Sequence, residues 1–346
     1  MGQALGVGII GGGLATQAIQ LPTLARLADA FRVTRVMDVD ASVAASVARR
    51  CGAEPAGSVE EVCRDPRVDA VAVCSPHGFH AAQAIAACRA GKRLVFIEKP
   101  LATTRAEARE IVNAAREAGT RIVVGAMHVF DPAYRAARKA WTETGDEARH
   151  VHSSIYLPSN DHFIDQATDR LSRQAGGPQP LPEFNDPSVQ AAALRGAILG
   201  LSIHDLPLIR SFAPAIDAVV SARFIPPFGY NLAFTGEGRS VRLFALMPGS
   251  WAPHWRLRAI GRTHELSASF PPSYVLAGSS SCALRAPDRT VAFEQSESGY
   301  ESMWRHAYEV ATGAEQPVAE LEDLLADFDY ALDLVDRVDA FLGVKS

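Results

Sequence analysis

At 346 residues the chain is long for one ordinary core and fits two domains more comfortably. An apolar fraction of 48% with 21% charged residues describes a normally packed globular protein. The formal net charge of -5 offers no basic face to a phosphate backbone, which excludes nucleic acid as an expected partner.

The opening MGQALGVGIIGGG has no basic leader, no long apolar segment and no small-residue cleavage site. Its Met-Gly start lacks the Ser or Thr that myristoylation requires. Apolar runs are broken by Gly, Arg or His before they reach membrane-spanning length. A cytoplasmic protein with no membrane partner is therefore expected. The cysteines, Cys51, Cys63, Cys74, Cys88 and Cys282, are odd in number and show no CxxC spacing, which argues against a disulfide framework and a zinc site. Buried free thiols and no metal are the expectation.

Taken in chain order, the first third alternates short apolar runs with helical patterns. Leu5–Ile10 reads as a strand ending at glycines, Ala15–Ala30 as a helix, Phe31–Asp38 as a strand and Ala41–Arg50 as a helix. Val68–Cys74, Arg93–Ile97 and Arg121–Gly125 read as strands; Phe79–Ala90 and Arg105–Ala118 read as the helices between them. This alternation predicts βαβ units and a parallel sheet, and near-continuous apolar strands fit a sheet covered on both faces. After about residue 130 the rhythm changes. His150–Tyr156 suggests a strand, Leu157–Ser188 is irregular, and Gln190–Phe212 suggests one long helix. Ile216–Phe293 reads as strands broken by Pro and Gly without helices between them, hence a mostly antiparallel sheet. Trp304–Thr312 and Ala319–Phe341 read as closing helices.

The strongest local signal is Val7–Gly13 followed by a helix. A dinucleotide site needs a tight strand-to-helix turn, then a residue without Cβ where the pyrophosphate nears the backbone, then a helix N-terminus. Gly11 and Gly13 fill the first two roles, with Leu14 and Ala15 leading into the helix; the third fingerprint position falls on Thr16 instead of Gly or Ala. Asp38 ends the next strand at the distance where an acid accepts from the adenosine ribose and repels a 2′-phosphate. NAD is thus the expected cofactor, with NADP as the alternative. Asp40 is read as the cap of the helix that follows.

With these residues in place the chain resembles the Gfo/Idh/MocA oxidoreductases. The resemblance runs from the glycine turn and helix of Val7–Leu24 through Asp69–Gly91, whose Ser-Pro-His-Gly-Phe-His turn is similar to the family's Thr/Ser-Pro-Asn-x-x-His. It is most specific at Phe96–Leu101, FIEKPL, which carries the Glu-Lys-Pro signature, and extends to Val124–Tyr134. The resemblance implies that Ser75 and Pro76 line the nicotinamide end, that His80 opens the following helix, and that Glu98 contacts the ribose region. It also implies that Lys99 lies beside the reacting carbon and that Pro100 bends the chain. A cation there stabilises a developing alkoxide and relays its proton.

The family's second catalytic piece is Asp-x-x-x-His on a helix, whose i, i+4 spacing places both side chains on one face. The match is Gly196–Phe212, in which His204 takes the histidine position but Gly200 stands where the aspartate is expected. Asp205 points about 100° away on a helix and is a poor replacement. Val129 occupies a place where the family often has Arg. Met127, Tyr156 and Arg195 are candidate substrate contacts. Trp251, His254 and Trp255 form an aromatic group that either stacks on a sugar or faces a sheet interface. His162 and Asp165 are too few for a metal.

The expected architecture is an α/β chain: a Rossmann domain over residues 1–126, then a substrate-binding and oligomerisation domain over 127–346 with an open, mostly antiparallel sheet. The terminal helices are expected to pack back on one of the two. The implied activity is NAD(P)-dependent hydride transfer to or from a secondary alcohol of a sugar, inositol or polyol, by a homodimer or homotetramer. The alternatives are a non-catalytic dinucleotide-binding sensor and a keto-sugar reductase of a biosynthetic pathway.

Overall fold

The strands before residue 126 pair as a parallel sheet, because a helical crossover returns the chain between successive strands. The computed structural model describes residues 3–170, 184, 186–247 and 252–344. It divides the chain into two units: Met1–Ala126 with Ile164–Ala175 and Tyr300–Phe328, and Met127–Phe163 with Gly176–Gly299 and Asp329–Ser346.

In the first unit the strands are β1 (Leu5–Ile10), β2 (Phe31–Met37), β3 (Glu54–Ala56), β4 (Ala70–Val73), β5 (Leu94–Ile97) and β6 (Arg121–Val124). Their order in the sheet is β3-β2-β1-β4-β5-β6, and every neighbouring pair is parallel. The direction of winding reverses between β1 and β4, the place where open α/β sheets of this order bind dinucleotides. β1, β4 and β5 are buried along their whole length, as their unbroken apolar sequences require. The connecting helices are α1 (Leu21–Arg26), α2 (Ala41–Cys51), α3 (Val59–Arg64), α4 (His80–Arg89) and α5 (Arg105–Ala118). Asp40 caps α2 by accepting from the Ser42 and Val43 amides, and Gly52 ends it in the left-handed conformation. A Thr104–Glu107 capping box opens α5, and Gly119 closes it.

Two differences from the sequence expectation concern this unit. The segment expected as one helix over Ala15–Ala30 is a π-turn, Thr16–Gln20, leading into α1 and stopping at Leu27, whose φ of -109° and ψ of 36° leave the helical region. The pair β3 and α3 lies in a stretch too short for periodicity to reveal.

The second unit begins with α6 (Met127–Phe130) and α7 (Pro132–Glu143), the latter capped by Asp131 with Pro132 in its first turn. There follow in the chain β7 (His150–Tyr156), α8 (Asp161–Ala167), whose residues from Ile164 on belong to the first unit, α9 (Pro187–Gly200) and α10 (Leu206–Arg210). Helix α8 lies within the stretch expected to be irregular; residues 171–183 and 185 of that stretch lie outside the described residues. The long helix expected over Gln190–Phe212 is broken. After α9 ends, Leu201 turns at φ -120°, and Ser202–His204 form a 3-10 turn before α10.

The remaining strands are β8 (Ala218–Phe224), β9 (Phe228–Gly236), β10 (Arg239–Met247), β11 (His254–Ile260), β12 (Glu265–Phe270), β13 (Ser281–Arg285) and β14 (Thr290–Phe293). Helices α11 (Gly299–Thr312) and α12 (Leu321–Phe341) close the chain. The second sheet runs β14-β13-β12-β11-β7-β10-β9-β8, antiparallel throughout except between β7 and β10. Alternation along β7 buries Val151, Ser153 and Ile155 and leaves His150, His152 and Tyr156 on the other, half-buried face. The buried face packs with Trp141, Leu194, Ile198, Leu206, Trp255 and Leu334 in one apolar core. Among the described residues no helix is long and apolar enough to cross a membrane.

Candidate active site

At the carboxyl end of β1 the chain turns so sharply that only glycine fits. Gly11 has φ +101°, and a Cβ there would lie 2.6 Å from the Cys74 carbonyl oxygen. Its neighbour Gly12 donates its amide to Asp38 Oδ2 at 2.8 Å, and the Asp40 amide donates to Oδ1 at 2.9 Å, so the carboxylate that ends β2 is pinned beside the glycine turn. Gly13 is exposed, and a Cβ there would meet no protein atom within 4 Å. Nothing in the fold there demands glycine, so a demand for it comes from what approaches from outside, as a pyrophosphate would. Half-buried Leu14 and Ala15 lead into the helix. Thr16, which broke the fingerprint, is fully buried and donates Oγ1 to the Gly11 carbonyl at 2.5 Å, so its hydroxyl is absorbed by the turn it would otherwise disturb. The Gln17 side chain donates Nε2 to the Gly12 carbonyl at 2.7 Å and holds the loop's other side. These residues fit a dinucleotide: an open glycine at a helix start and an acid at the end of the adjoining strand.

The loops after β4 and β5, neighbours in the sheet, carry the rest. Ser75 and Pro76 follow β4, and Ser75 Oγ donates to Gln83 Oε1 at 2.6 Å. His80 is completely buried, with Nδ1 2.9 Å from the Pro100 carbonyl oxygen and Nε2 2.9 Å from that of Ser75. It therefore ties the Ser75 loop to the Lys99-Pro100 segment, whose peptide bond is cis. Glu98 accepts from the Gln20 amide at 2.5 Å, and Gln20 in turn accepts the Trp304 indole N–H at 2.7 Å. Burial raises the Glu98 carboxyl above its ordinary value, with Lys99 and Gln20 opposing; burial lowers the Lys99 ammonium, with Glu98 opposing. Gln20 was not legible as a site residue, although a polar side chain on the apolar stripe of a fingerprint helix is the signal that marks it.

In the second unit His204 is buried on the 3-10 turn. The shared helical face expected for positions 200 and 204 does not exist here, because Gly200 is the last residue of α9. Asp205 is not a bystander. It is fully buried and accepts from Trp255 Nε1, Ser153 Oγ and His128 Nδ1, a polar knot that the sequence reading missed. Trp255 is correspondingly a core residue with no exposed ring face to stack on a sugar; Trp251 lies outside the described residues. Met127 is buried on α6. Tyr156 lies on the sheet face opposite Ser153, against Phe244 and His254, and so is not brought together with His204. Arg195 donates to Asp339 at 2.8 Å.

The model of the oxidoreductase family with an NAD-binding Rossmann fold matches residues 5–126. An inositol 2-dehydrogenase of Acidothermus cellulolyticus is 34% identical over 276 residues, covering 73% of this chain and 79% of that protein. Inositol 2-dehydrogenase 3 of Saccharopolyspora erythraea is 37% identical over 248 residues, covering 68% and 72%. Among solved structures, a 3-ketoreductase from Actinomadura kijaniata with NADP and TDP-benzene superposes with TM-score 0.70 at 21% identity over 94% of this chain and 95% of that one. The UDP-N-acetylglucosamine 3-dehydrogenase of Acidithiobacillus ferrooxidans does so with TM-score 0.72 at 20% identity over 99% and 100%, a likeness of fold. With its parallel sheet, glycine turn and Glu-Lys-Pro segment, the chain belongs to the Gfo/Idh/MocA family of NAD(P)-binding oxidoreductases.

Proposed function

We propose that the enzyme passes a hydride between a nicotinamide dinucleotide, NAD in preference to NADP, and a secondary alcohol or matching ketone of a sugar, inositol or related polyol. Lys99 carries this reading: a half-buried cation directly after Glu98 at the carboxyl end of β5. The bound cofactor's share is to accept or return the hydride. As the alcohol carbon is oxidised its hydroxyl becomes acidic, and the Lys99 ammonium stabilises the alkoxide. His204 takes the proton as general base and returns it in the reverse direction. Burial loosens the Lys99 proton, which suits a relay as well as a static charge. The inositol 2-dehydrogenases among the relatives support a polyol substrate. Asp38 supports NAD, since a 2′-phosphate would meet its carboxylate.

A second reading, a dinucleotide-binding sensor, is favoured by Gly200, which leaves the last turn of α9 without a carboxylate. One experiment separates the two. Polyols and ketosugars are screened by absorbance of the reduced nicotinamide, with Lys99→Ala beside the unchanged enzyme. The catalytic reading expects turnover that Lys99→Ala reduces at least ~100-fold while the NAD-induced thermal shift persists. Full turnover in Lys99→Ala overturns the role of Lys99, and tight NAD binding with no turnover across the panel favours the sensor.

A further inference from the structure

Asp205 gathers donors from three elements: Trp255 Nε1 at 2.8 and 2.9 Å from its two oxygens, Ser153 Oγ at 2.5 Å and His128 Nδ1 at 3.0 Å. An ionised carboxylate only accepts, so the histidine nitrogen that faces it carries the proton. In a neutral ring this leaves Nε2 bare. The ring is held in plane by Phe270, stacked at 3.9 Å between centroids, and by Trp255, edge-on at 4.7 Å. Exchanging the two nitrogens would break the bond to Asp205. His128 is 3% exposed, and its Nε2 has no hydrogen-bond partner among the described residues. A buried basic nitrogen of this kind adds nothing to packing that a phenyl ring would not. Its neighbour is the imidazole of His204, 5.8 Å away between centroids.

We infer that His128 is a positioning residue that holds the proton His204 receives during turnover. The inference rests on reading His204 as the acid/base. In the oxidative direction the hydride leaves for the cofactor, the substrate O–H bond breaks and an N–H bond forms on His204. His204 then gives up a proton, its N–H bond breaking, to His128 Nε2 as the two imidazoles close from their 5.8 Å separation to hydrogen-bond distance. This gives an imidazolium whose Nδ1–H remains on Asp205, and the proton returns through His204 when the product leaves. The reductive direction runs the same bonds backwards. The carboxylate missing at Gly200 is thereby replaced by Asp205, acting through His128.

The test compares His128→Asn and His204→Asn with the unchanged enzyme, using myo-inositol or another polyol that turns over in the screen. The asparagine amide at 128 still donates to Asp205 but lacks the bare nitrogen. His128→Asn is expected to lower kcat about 10- to 100-fold with KM and the NAD thermal shift unchanged, and added imidazole should restore part of the loss. Full activity in His128→Asn, or a loss that imidazole does not relieve, overturns the relay. If His204→Asn is fully active, the acid/base reading fails and the relay with it; an inactive His204→Asn beside a fully active His128→Asn sinks the relay alone. A ¹⁵N-histidine spectrum of the unchanged protein needs neither folding of a variant nor substrate. It should show His128 protonated at Nδ1 and bare at Nε2, and the opposite tautomer overturns the proposal.

Discussion

Gln20 holds Glu98 from one side and Trp304 from the other: its amide donates to the carboxyl at 2.5 Å while its oxygen accepts the indole N–H at 2.7 Å. The side chain is 1% exposed and Trp304 is fully buried, so the indole cannot turn to water if Gln20 is lost. Replacing Gln20 with leucine orphans the indole donor and a carboxyl that burial already disfavours in its charged form. The expected cost is about 1–3 kcal/mol in urea denaturation. Stability equal to that of the unchanged protein would show that the chain Trp304–Gln20–Glu98 contributes nothing.

Gly11 and Gly13 of the turn separate folding from binding. Alanine at Gly11 meets the Cys74 carbonyl oxygen at 2.6 Å and adopts a positive φ, so Gly11→Ala should lower Tm and abolish the thermal response to NAD. Alanine at Gly13 meets nothing within 4 Å, so Gly13→Ala should melt with the unchanged protein yet bind NAD at least ~10-fold more weakly. Unaltered NAD affinity in Gly13→Ala would remove that glycine from the phosphate site.

These cases show which parts of the fold the sequence discloses. The central strands β1, β4 and β5 are buried on both faces, so their apolar runs stand out, and the glycine turn and FIEKPL are local enough to name. Thr16 looked like a defect because its compensation, a bond to the Gly11 carbonyl, lies in three dimensions. Helix α7 is announced only by its start signal, Asp131 and Pro132, where the β-α rhythm of the first unit ends. Periodicity runs through Gln190–Phe212 across the break at Leu201, since a helix, a 3-10 turn and a second short helix can keep the same apolar stripe. Asp205 points away from His204 on a 3-10 turn as it would on a helix, and its actual partners His128, Ser153 and Trp255 are brought to it only by the second sheet and α6.

Asp38 serves two ends. Its oxygens accept the Gly12 and Asp40 amides at 2.8 and 2.9 Å, so the carboxylate that is proposed to select the ribose also fixes the glycine turn. A larger thermal shift with NAD than with NADP is expected for the unchanged protein. Asp38→Ala should weaken NAD binding while narrowing the gap between the two cofactors, because the repulsion of a 2′-phosphate goes with the charge. A larger shift with NADP in the unchanged protein contradicts the preference outright.

Far from the glycine turn, Asp65 should govern the acid stability of the first unit. Its side chain is 4% exposed and meets Arg67 Nη2 at 2.8 Å and Arg35 Nε at 2.6 Å. Hydrogen bonds from Arg67, against the opposing effect of burial and with further help from Arg35, hold the carboxyl far below the ordinary carboxylate range. A depressed carboxyl contributes stability that is complete above its unfolded value, near ~4. That contribution drains away as pH falls through the folded value. Asp65→Asn removes the charge and should cost about 3 kcal/mol at pH 7, less to the extent that water already screens the half-exposed Arg67. The gap between variant and unchanged protein in urea denaturation should narrow steadily as pH is lowered below ~4, since protonation then makes the two side chains alike. A gap that stays constant down to the acid transition would mean that Asp65 is held by packing and not by its charge.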